Sequence, residues 1–306
     1  MHHRTKPVGR FAPTPSGDLH IGSLIAATAS CADAMHQGGE HRIRIDDIDP
    51  PRIVAQSAER IIQALNRFDV QISGEVIYQS TRLEAYEQAL NQLVQLDVVF
   101  ACSCSRQTLH QGHTCQKTCV KNRLKTTVPI RQQLNAHKGS AAIRLDTSHP
   151  YIQQLAPLRV IDRIQSNHCI TDLNELGTPV VWRKDGYVSY LLATSVDDSE
   201  GITDVVRGAD LWEGTRTQQL IIELLDRPVP TWAHVPCAVD EQQQKLGKQT
   251  RAASIHEAAA LPLLQKVWTF LGQNPISCVT LEQFWTEAAT AWAIDRVPKA
   301  HLLRID

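Results

Sequence analysis

Three groups of residues in this chain have types and spacings that chemistry can use. His20 and Gly22 close the stretch Arg10 to Ser23, RFAPTPSGDLHIGS. An imidazole there can donate to phosphate oxygens, and a glycine two residues on has no Cβ, so a flat ring can lie against the backbone. Asp46, Asp47 and Asp49 put three carboxylates into four residues; on spacing alone, a solvated turn and a ligand site both stay open. Cys102 and Cys104, then Cys115 after ten residues and Cys119 after three more, give four thiols within eighteen positions. Such a set can form a tetrahedral zinc site, which would hold together a segment, SRQTLHQGHT, too polar to build its own core. Four free thiols are the alternative, and His110 and His113 are substitute ligands should one Cys not point inward.

These groups need elements to position them. Arg10 to Ser23 begins as a short apolar strand, breaks at Pro13 and Pro15, turns at Gly17 and becomes helical after His20. Strand, glycine turn and helix N-terminus hold anions, because unpaired backbone N–H groups and the positive end of the helix dipole point at the ligand. The stretch is neither a G-x-x-x-x-G-K-[ST] loop nor G-x-G-x-x-G. Leu24 to Gln37 is Ala-rich and periodic, a helix ending at Gly38-Gly39, and His41 to Ile45 is a second strand running into the three carboxylates. Strand, helix and strand with short links imply a parallel βαβ unit whose ligand site lies at the carboxyl ends of its strands.

Further along, Ser57 to Phe68 is an amphipathic helix with Arg60 on its solvated face, and Thr81 to Leu96 is another. Val98 to Ala101 is a strand feeding the cysteines. Residues 120 to 180 carry Lys121, Arg123, Lys125 and Arg131, a strand candidate at Ala141 to Leu145 and an alternating run at Leu158 to Ile164. They read as an inserted subdomain between two halves of a nucleotide-binding fold. The second half brings a strand at Pro179 to Trp182, a helix at Tyr187 to Val196, a β-branched strand at Ile202 to Arg207, a helix at Thr215 to Leu225 and a strand at Thr231 to Val235. Helices around Leu261 to Leu271 and Leu281 to Ala293 follow. The fold class is α/β, with boundaries at 1–100 and 179–240 for the two halves, 101–178 for the insert and 241–306 for a polar loop and helical end.

The bulk numbers agree with a globular protein. The 306 residues can bury a sizeable core, and 42% hydrophobic with 21% charged residues is ordinary for a soluble protein. Lys plus Arg (31) nearly balances Asp plus Glu (32), so any RNA contact must come from a local patch. No apolar run reaches membrane-spanning length and the N-terminus lacks a signal-peptide core, which makes the cytoplasm the expected place and disulfides among the eight Cys unexpected.

RFAPTPSGDLHIG resembles R-F-A-P-S-P-T-G-x-L-H-x-G of the glutamyl branch of class I aminoacyl-tRNA synthetases, with Thr14 and Ser16 exchanging the two hydroxyl residues. RIDDIDPPR is similar to R-I-E-D-T-D-P-x-R, YLLATSVDD to Y-x-L-A-x-x-x-D-D, and VVRGADL to V-x-R-G-x-D-L. Gln244 to Gln249 (QKLGKQ) resembles the mobile K-M-S-K-S loop, with Gly247 at its usual serine. The resemblance implies a Rossmann-like parallel sheet with an inserted zinc-bearing subdomain. It implies a glutamate pocket from Arg10, Phe11, Ala12, Pro13, Thr14, Asp46, Tyr190 and Arg207, in which a fixed guanidinium binds carboxylate as a fork. Asp46 stands where the family has Glu, one methylene shorter, for the substrate ammonium. His20 and Gly22 would seat ATP with its Mg²⁺, and Lys245 and Lys248 would stabilise the departing pyrophosphate. Cys102, Cys104, Cys115 and Cys119 would hold one structural zinc, with Cys115 where the family typically has Tyr.

The glutamyl synthetases continue into an anticodon-binding domain, whereas 58 residues follow Lys248 here. A shortened glutamyl synthetase with a Cys-x-Cys cluster is similar to the glutamyl-queuosine tRNA(Asp) synthetase family, which attaches glutamate to the queuosine base of the tRNA(Asp) anticodon. The partners so implied are glutamate, ATP and queuosine-bearing tRNA(Asp), for a monomer with no membrane. Two other readings stand beside it: an inactive paralogue that binds RNA in a regulatory role, favoured by Asp46 and Gly247, and an activator delivering an amino acid to a non-RNA acceptor.

Overall fold

The computed structural model describes residues 6–105, 109, 115, 119–246, 255 and 258–305. Gly247, Lys248, His110 and His113 lie outside the described residues. A five-stranded sheet carries the frame. It is built from β1 (Val8–Phe11), β2 (Glu40–Ile45), β3 (Ile77–Tyr78), β9 (Asp204–Gly208) and β10 (Thr231–Val235), in the order β10-β9-β1-β2-β3, all parallel. Val8 pairs with Glu40 and Phe11 with Ile43, so the first βαβ unit closes in register across α1 (Ile21–His36). All four residues of β1 are buried, as a central strand covered on both faces requires.

Between β2 and β9 the chain forms α2 (Ser57–Arg67), α3 (Leu83–Gln95), β4 (Val99–Cys102), α4 (Ile130–His137), β5 (Ala142–Leu145), the single turn α5 (Pro150–Gln153), β6 (Leu158–Val160), β7 (His168–Ile170), β8 (Val180–Trp182) and α6 (Tyr190–Ser199). β4, β5 and β8 make a separate antiparallel sheet, and β6 pairs antiparallel with β7. After β9 come α7 (Trp212–Leu224), β10, β11 (Cys237–Val239), α8 (Ala260–Phe270), α9 (Leu281–Ala291) and β12 (Leu302–Arg304), which pairs parallel with β11.

Several boundaries move for local reasons. α1 begins at Ile21, because His20 sits in extended backbone as its N-cap. α3 waits until Leu83 behind a 3₁₀ turn over Gln79–Arg82. α6 starts at Tyr190 because the Ser189 hydroxyl accepts the Leu192 N–H at 3.2 Å, a serine cap. The alternating run from Leu158 stops at Val160. Two residues on, Asp162 Oδ1 accepts the N–H groups of Ile164 (2.9 Å) and Gln165 (2.7 Å), an Asx-type turn that competes with strand pairing.

Two cores lock these layers. One packs α1, α2, α8 and α9 on the parallel sheet through Leu24, Ile25, Ile61, Trp268, Phe284 and Trp285. The other joins α3, α6 and α7 to β4 and β5 through Tyr86, Leu90, Leu192 and Leu220. Each fully buried Leu, Ile or Phe adds about 1.5–3 kcal/mol relative to exposure. Among the described residues no helix is long and apolar enough to cross a membrane.

Candidate active site

The strand order turns at β1, with β2 on one side and β9 on the other. Loops leaving the carboxyl ends of such strands diverge and leave a crevice. A cleft of about 570 Å³ opens there. Phe11, Pro13, Thr14, His20 and Gly22 line it from the β1 side; Gly208, Asp210, Cys237 and Lys245 line it from the other. The sequence motif thus builds one wall, and residues some 190 positions later build the facing one.

Gly22 is required by close approach. A Cβ there would lie 3.1 Å from His20 Nδ1 and 3.1 Å from the Leu246 carbonyl oxygen. The neighbour its missing side chain admits is therefore the backbone of the Lys245–Leu246 segment, besides the imidazole. Gly208 is tighter still, with Asp210 Oδ1 only 2.5 Å from the position of a Cβ. Asp210 Oδ2 accepts from Lys245 Nζ at 2.6 Å and Oδ1 accepts the Cys237 thiol at 3.2 Å. Burial would raise the Asp210 carboxyl, yet Lys245 holds it below its usual value. Both partners of that ion pair are nearly half exposed, so it is weak enough for Lys245 to exchange Asp210 for another anion.

Behind the cleft lies a buried cluster of charges. Arg10 donates from Nε and Nη2 to the two oxygens of Asp198, each at 3.0 Å, in a fork-to-fork pair. Arg44 Nη1 donates to the same carboxylate at 2.7 Å, and Gln218 Nε2 adds a fourth bond at 2.9 Å. Arg44 also grips Asp46 from Nε at 2.6 Å and from Nη2 at 3.3 Å. Asp197 accepts from Gln79, Arg82 and the Tyr86 hydroxyl. The carboxylates respond differently. Burial pushes the Asp46 carboxyl up to about 6, with Arg44 pulling the other way. Burial also acts to raise Asp198, but Arg10 and Arg44 together hold it well below the carboxylate range.

Arg207, at the end of β9, is only 5% exposed. Its Nε donates to His234 Nε2 at 3.0 Å and its Nη2 to Thr215 Oγ1 at 2.8 Å. Its Nη1 is buried with no hydrogen-bond partner among the described residues. Burial lowers the Arg207 guanidinium below its ordinary value, opposed by Tyr190. Tyr190 keeps 37% of its surface exposed, while its phenol, pushed up by burial, feels Arg207, Asp46, Asp198 and Arg10. The arrangement is an unfilled donor beside a phenol, backed by an ion network that fixes the floor.

Of the residues expected to bind, the cleft gathers Phe11, Pro13, Thr14, His20, Gly22 and Lys245. Arg10, Asp46, Tyr190 and Arg207 meet in the charged cluster behind it, where Arg10 and Asp46 are already paired. Ala12 does not line the cleft, and Lys248 lies outside the described residues. Arg44, Asp198, Asp162, His234 and Asp210 were not singled out by spacing. Asp197 and Asp198 carried a signal, since seven and eight residues after Tyr190 they share its side of α6 two turns on. His234, a lone His in TWAHV, carried none.

Away from the cleft, the four sulfurs of Cys102, Cys104, Cys115 and Cys119 lie within 4.8 Å of one another. Sγ separations are 3.5 Å for Cys102–Cys115, 3.7 Å for Cys104–Cys115 and 3.6 Å for Cys104–Cys119. A tetrahedron with zinc–sulfur bonds of about 2.3 Å has edges of about 3.8 Å, whereas a disulfide needs about 2.05 Å. None of the four forms a disulfide, and the donor set and spacing are compatible with zinc. The Cys115 N–H donates to Thr178 Oγ1 at 2.8 Å, tying the cluster to the residues just before β8.

Comparison with known proteins adds an independent line. The family model described as tRNA synthetases class I (E and Q), catalytic domain, matches residues 7–269. The glutamyl-Q tRNA(Asp) synthetase of Photorhabdus laumondii is 36% identical over 304 residues, covering 98% of this chain and 90% of its own. That of Pseudomonas fluorescens is 39% identical over 269 residues, covering 88% and 85%. Among solved structures, a glutamate tRNA ligase from Elizabethkingia meningosepticum, in complex with its amino acid, superposes with a TM-score of 0.77. It shares 22% identity, with 98% of this chain and 67% of that one covered, a likeness of fold. With its parallel sheet, its cleft at the turn in strand order and these matches, the chain belongs to the class I tRNA synthetase family of the glutamyl and glutaminyl type.

Proposed function

We propose that this enzyme activates glutamate with ATP as glutamyl-adenylate and transfers it to the queuosine base of the tRNA(Asp) anticodon. The observation that carries the amino-acid part is the buried Nη1 of Arg207, which lies close to Tyr190 and has no hydrogen-bond partner among the described residues. A buried guanidinium nitrogen left unpaired is costly, and a carboxylate is the ligand that satisfies it best. Arg10 and Thr14, with Phe11, Ala12 and Pro13, shape the pocket, Tyr190 and Arg207 hold a carboxylate, and Asp46 faces the ammonium. An uncharged amide in place of that carboxylate forfeits the charge-assisted bond.

ATP takes the 570 Å³ cleft, its phosphates near His20 and the start of α1. A carboxylate oxygen of glutamate attacks the α-phosphorus in line, the bond to the bridging oxygen of the β-phosphate breaks, and pyrophosphate leaves. Lys245 releases Asp210 and, with Lys248, meets the charge growing on that leaving group. Positioning and electrostatics supply the acceleration, with Mg²⁺ arriving on ATP. An acceptor group of the queuosine base then attacks the activated carbonyl and AMP departs. The names and 36–39% identities of the relatives support this acceptor. Cys102, Cys104, Cys115 and Cys119 would hold a structural zinc ion, which would tie together the polar segment between them.

The test is ATP–pyrophosphate exchange with each amino acid in turn, without RNA. Exchange dependent on glutamate alone is expected; exchange with no amino acid, or equally with glutamine, would overturn the assignment.

A further inference from the structure

Arg207 does not hold its own orientation. Its Nε donates to His234 Nε2 at 3.0 Å, and an arginine Nε–H is an obligatory donor, so that imidazole nitrogen must be the acceptor. The ring proton therefore sits on Nδ1, where Asp162 Oδ2 takes it at 2.6 Å. Thr215 Oγ1 lies 3.0 Å from His234 Nε2 and receives Arg207 Nη2 at 2.8 Å. Trp212 and the imidazole pack in a T-shaped contact, ring centroids 5.1 Å apart, and the guanidinium carbon stands 5.1 Å over the face of Trp232. The guanidinium is thus pinned at Nε, at Nη2 and on one face, which leaves Nη1 as its available corner.

Asp162 anchors this chain in the backbone. Its other oxygen, Oδ1, accepts the N–H groups of Ile164, Gln165 and His234 at 2.9, 2.7 and 3.3 Å. Asp162 also lies in the stretch between β6 and β7, bridged to Trp232 of β10. By sequence pattern that stretch falls in the insert, 101–178.

We infer that Asp162 and His234 are positioning residues for the proposed glutamate site, fixing one imidazole tautomer so that Arg207 presents Nη1 to a substrate carboxylate. This rests on the reading of Arg207 given above. Its consequence is that docking of the segment carrying Asp162 and affinity for the amino acid share one hydrogen-bonded chain.

Asp162→Asn tests it at constant shape. Three backbone N–H donors keep the amide oxygen at the Oδ1 position, so the NH₂ falls opposite His234 Nδ1 and donates to it. The ring proton is then forced onto Nε2, against the Nε–H of Arg207, two donors facing each other. The turn stays capped, so the fold is kept.

In glutamate-dependent ATP–pyrophosphate exchange, Asp162→Asn should raise the KM for glutamate about 10- to 100-fold, the range for a lost hydrogen bond to a charged group. The KM for ATP should stay within about twofold. His234→Ala should behave likewise. His234→Gln, whose amide oxygen can still accept from Arg207, should recover part of the loss. Arg207→Ala serves as the reference: an unchanged KM for glutamate there overturns the pocket itself. A raised KM in Arg207→Ala with unchanged values in Asp162→Asn and His234→Ala overturns the positioning role alone. An equal rise for glutamate and ATP in Asp162→Asn also overturns it, since damage to packing does not choose between substrates.

Discussion

Asp198→Asn removes one charge from the floor of the site without changing its shape. In the native protein that carboxylate accepts four bonds: two from Arg10 at 3.0 Å, one from Arg44 at 2.7 Å and one from Gln218 at 2.9 Å. An amide keeps one acceptor oxygen and turns NH₂ toward a guanidinium, leaving two buried arginines short of a counter-charge. Breaking a buried ion pair from one side costs about 3–5 kcal/mol, a large share of the 5–15 kcal/mol typical of whole proteins. The sign with pH follows from Arg10 and Arg44 holding the Asp198 carboxyl below its usual range. Its stabilisation is present in full above the unfolded carboxylate value near 3.9 and is lost only as pH falls through the lower folded value. Equilibrium urea unfolding of wild type and variant between pH 5 and 8 should therefore show a constant gap of about 3–5 kcal/mol. Asp18→Asn, which removes the half-exposed partner of Arg60, is the control and should cost less than about 1 kcal/mol. A gap below about 1 kcal/mol for Asp198→Asn would refute the cluster as the element that fixes the site.

Lys245→Ala should lower kcat for exchange about 100-fold, as loss of one group acting on transition-state charge does, and leave the melting temperature unchanged because the pair with Asp210 is half exposed; an unchanged kcat contradicts its role at the pyrophosphate. Metal analysis of purified protein should find about one zinc per chain, and Cys102→Ser should bind less and melt earlier; wild type without metal ends that assignment. Burial lowers His41 and His234 to about 4 from the ordinary 6.5, so their neutral forms contribute fully above pH 6.5 and that contribution is lost as pH falls toward 4. Asp46, raised by burial to about 6, acts oppositely between about 6 and the ordinary 3.8. The balance is a net uptake of about one proton on unfolding, a slope of about 1.4 kcal/mol per pH unit. Unfolding at pH 5.5 should thus need less urea than at pH 7; equal or higher stability at pH 5.5 contradicts it.

What could be read from the sequence divides along a physical line. Contiguous patterns survived: RFAPTPSGDLHIG gives a buried strand, a turn and a helix in the order its prolines, glycine and periodicity demand. The cysteine spacing brings four sulfurs together. Pairings across distance were harder. Arg10 and Arg207 look alike in sequence, both at strand ends beside motif residues. Only the fold reveals that Asp198 consumes the first guanidinium, while His234 and Thr215 hold the second with one nitrogen to spare. Asp162 stood inside an alternating run that reads as strand, and its side chain ends that strand by competing for backbone N–H groups. Such choices depend on which partner lies within 3 Å, and periodicity carries no information about that.

The proposed transfer of glutamate to a modified base is tested most directly by labelling two forms of one RNA. Purified enzyme, ATP, Mg²⁺ and radiolabelled glutamate are incubated with queuosine-containing tRNA(Asp) and with the same tRNA lacking queuosine. Label on the queuosine-containing RNA alone is the predicted result; equal labelling of both, or exchange with glutamate but label on neither, would contradict it.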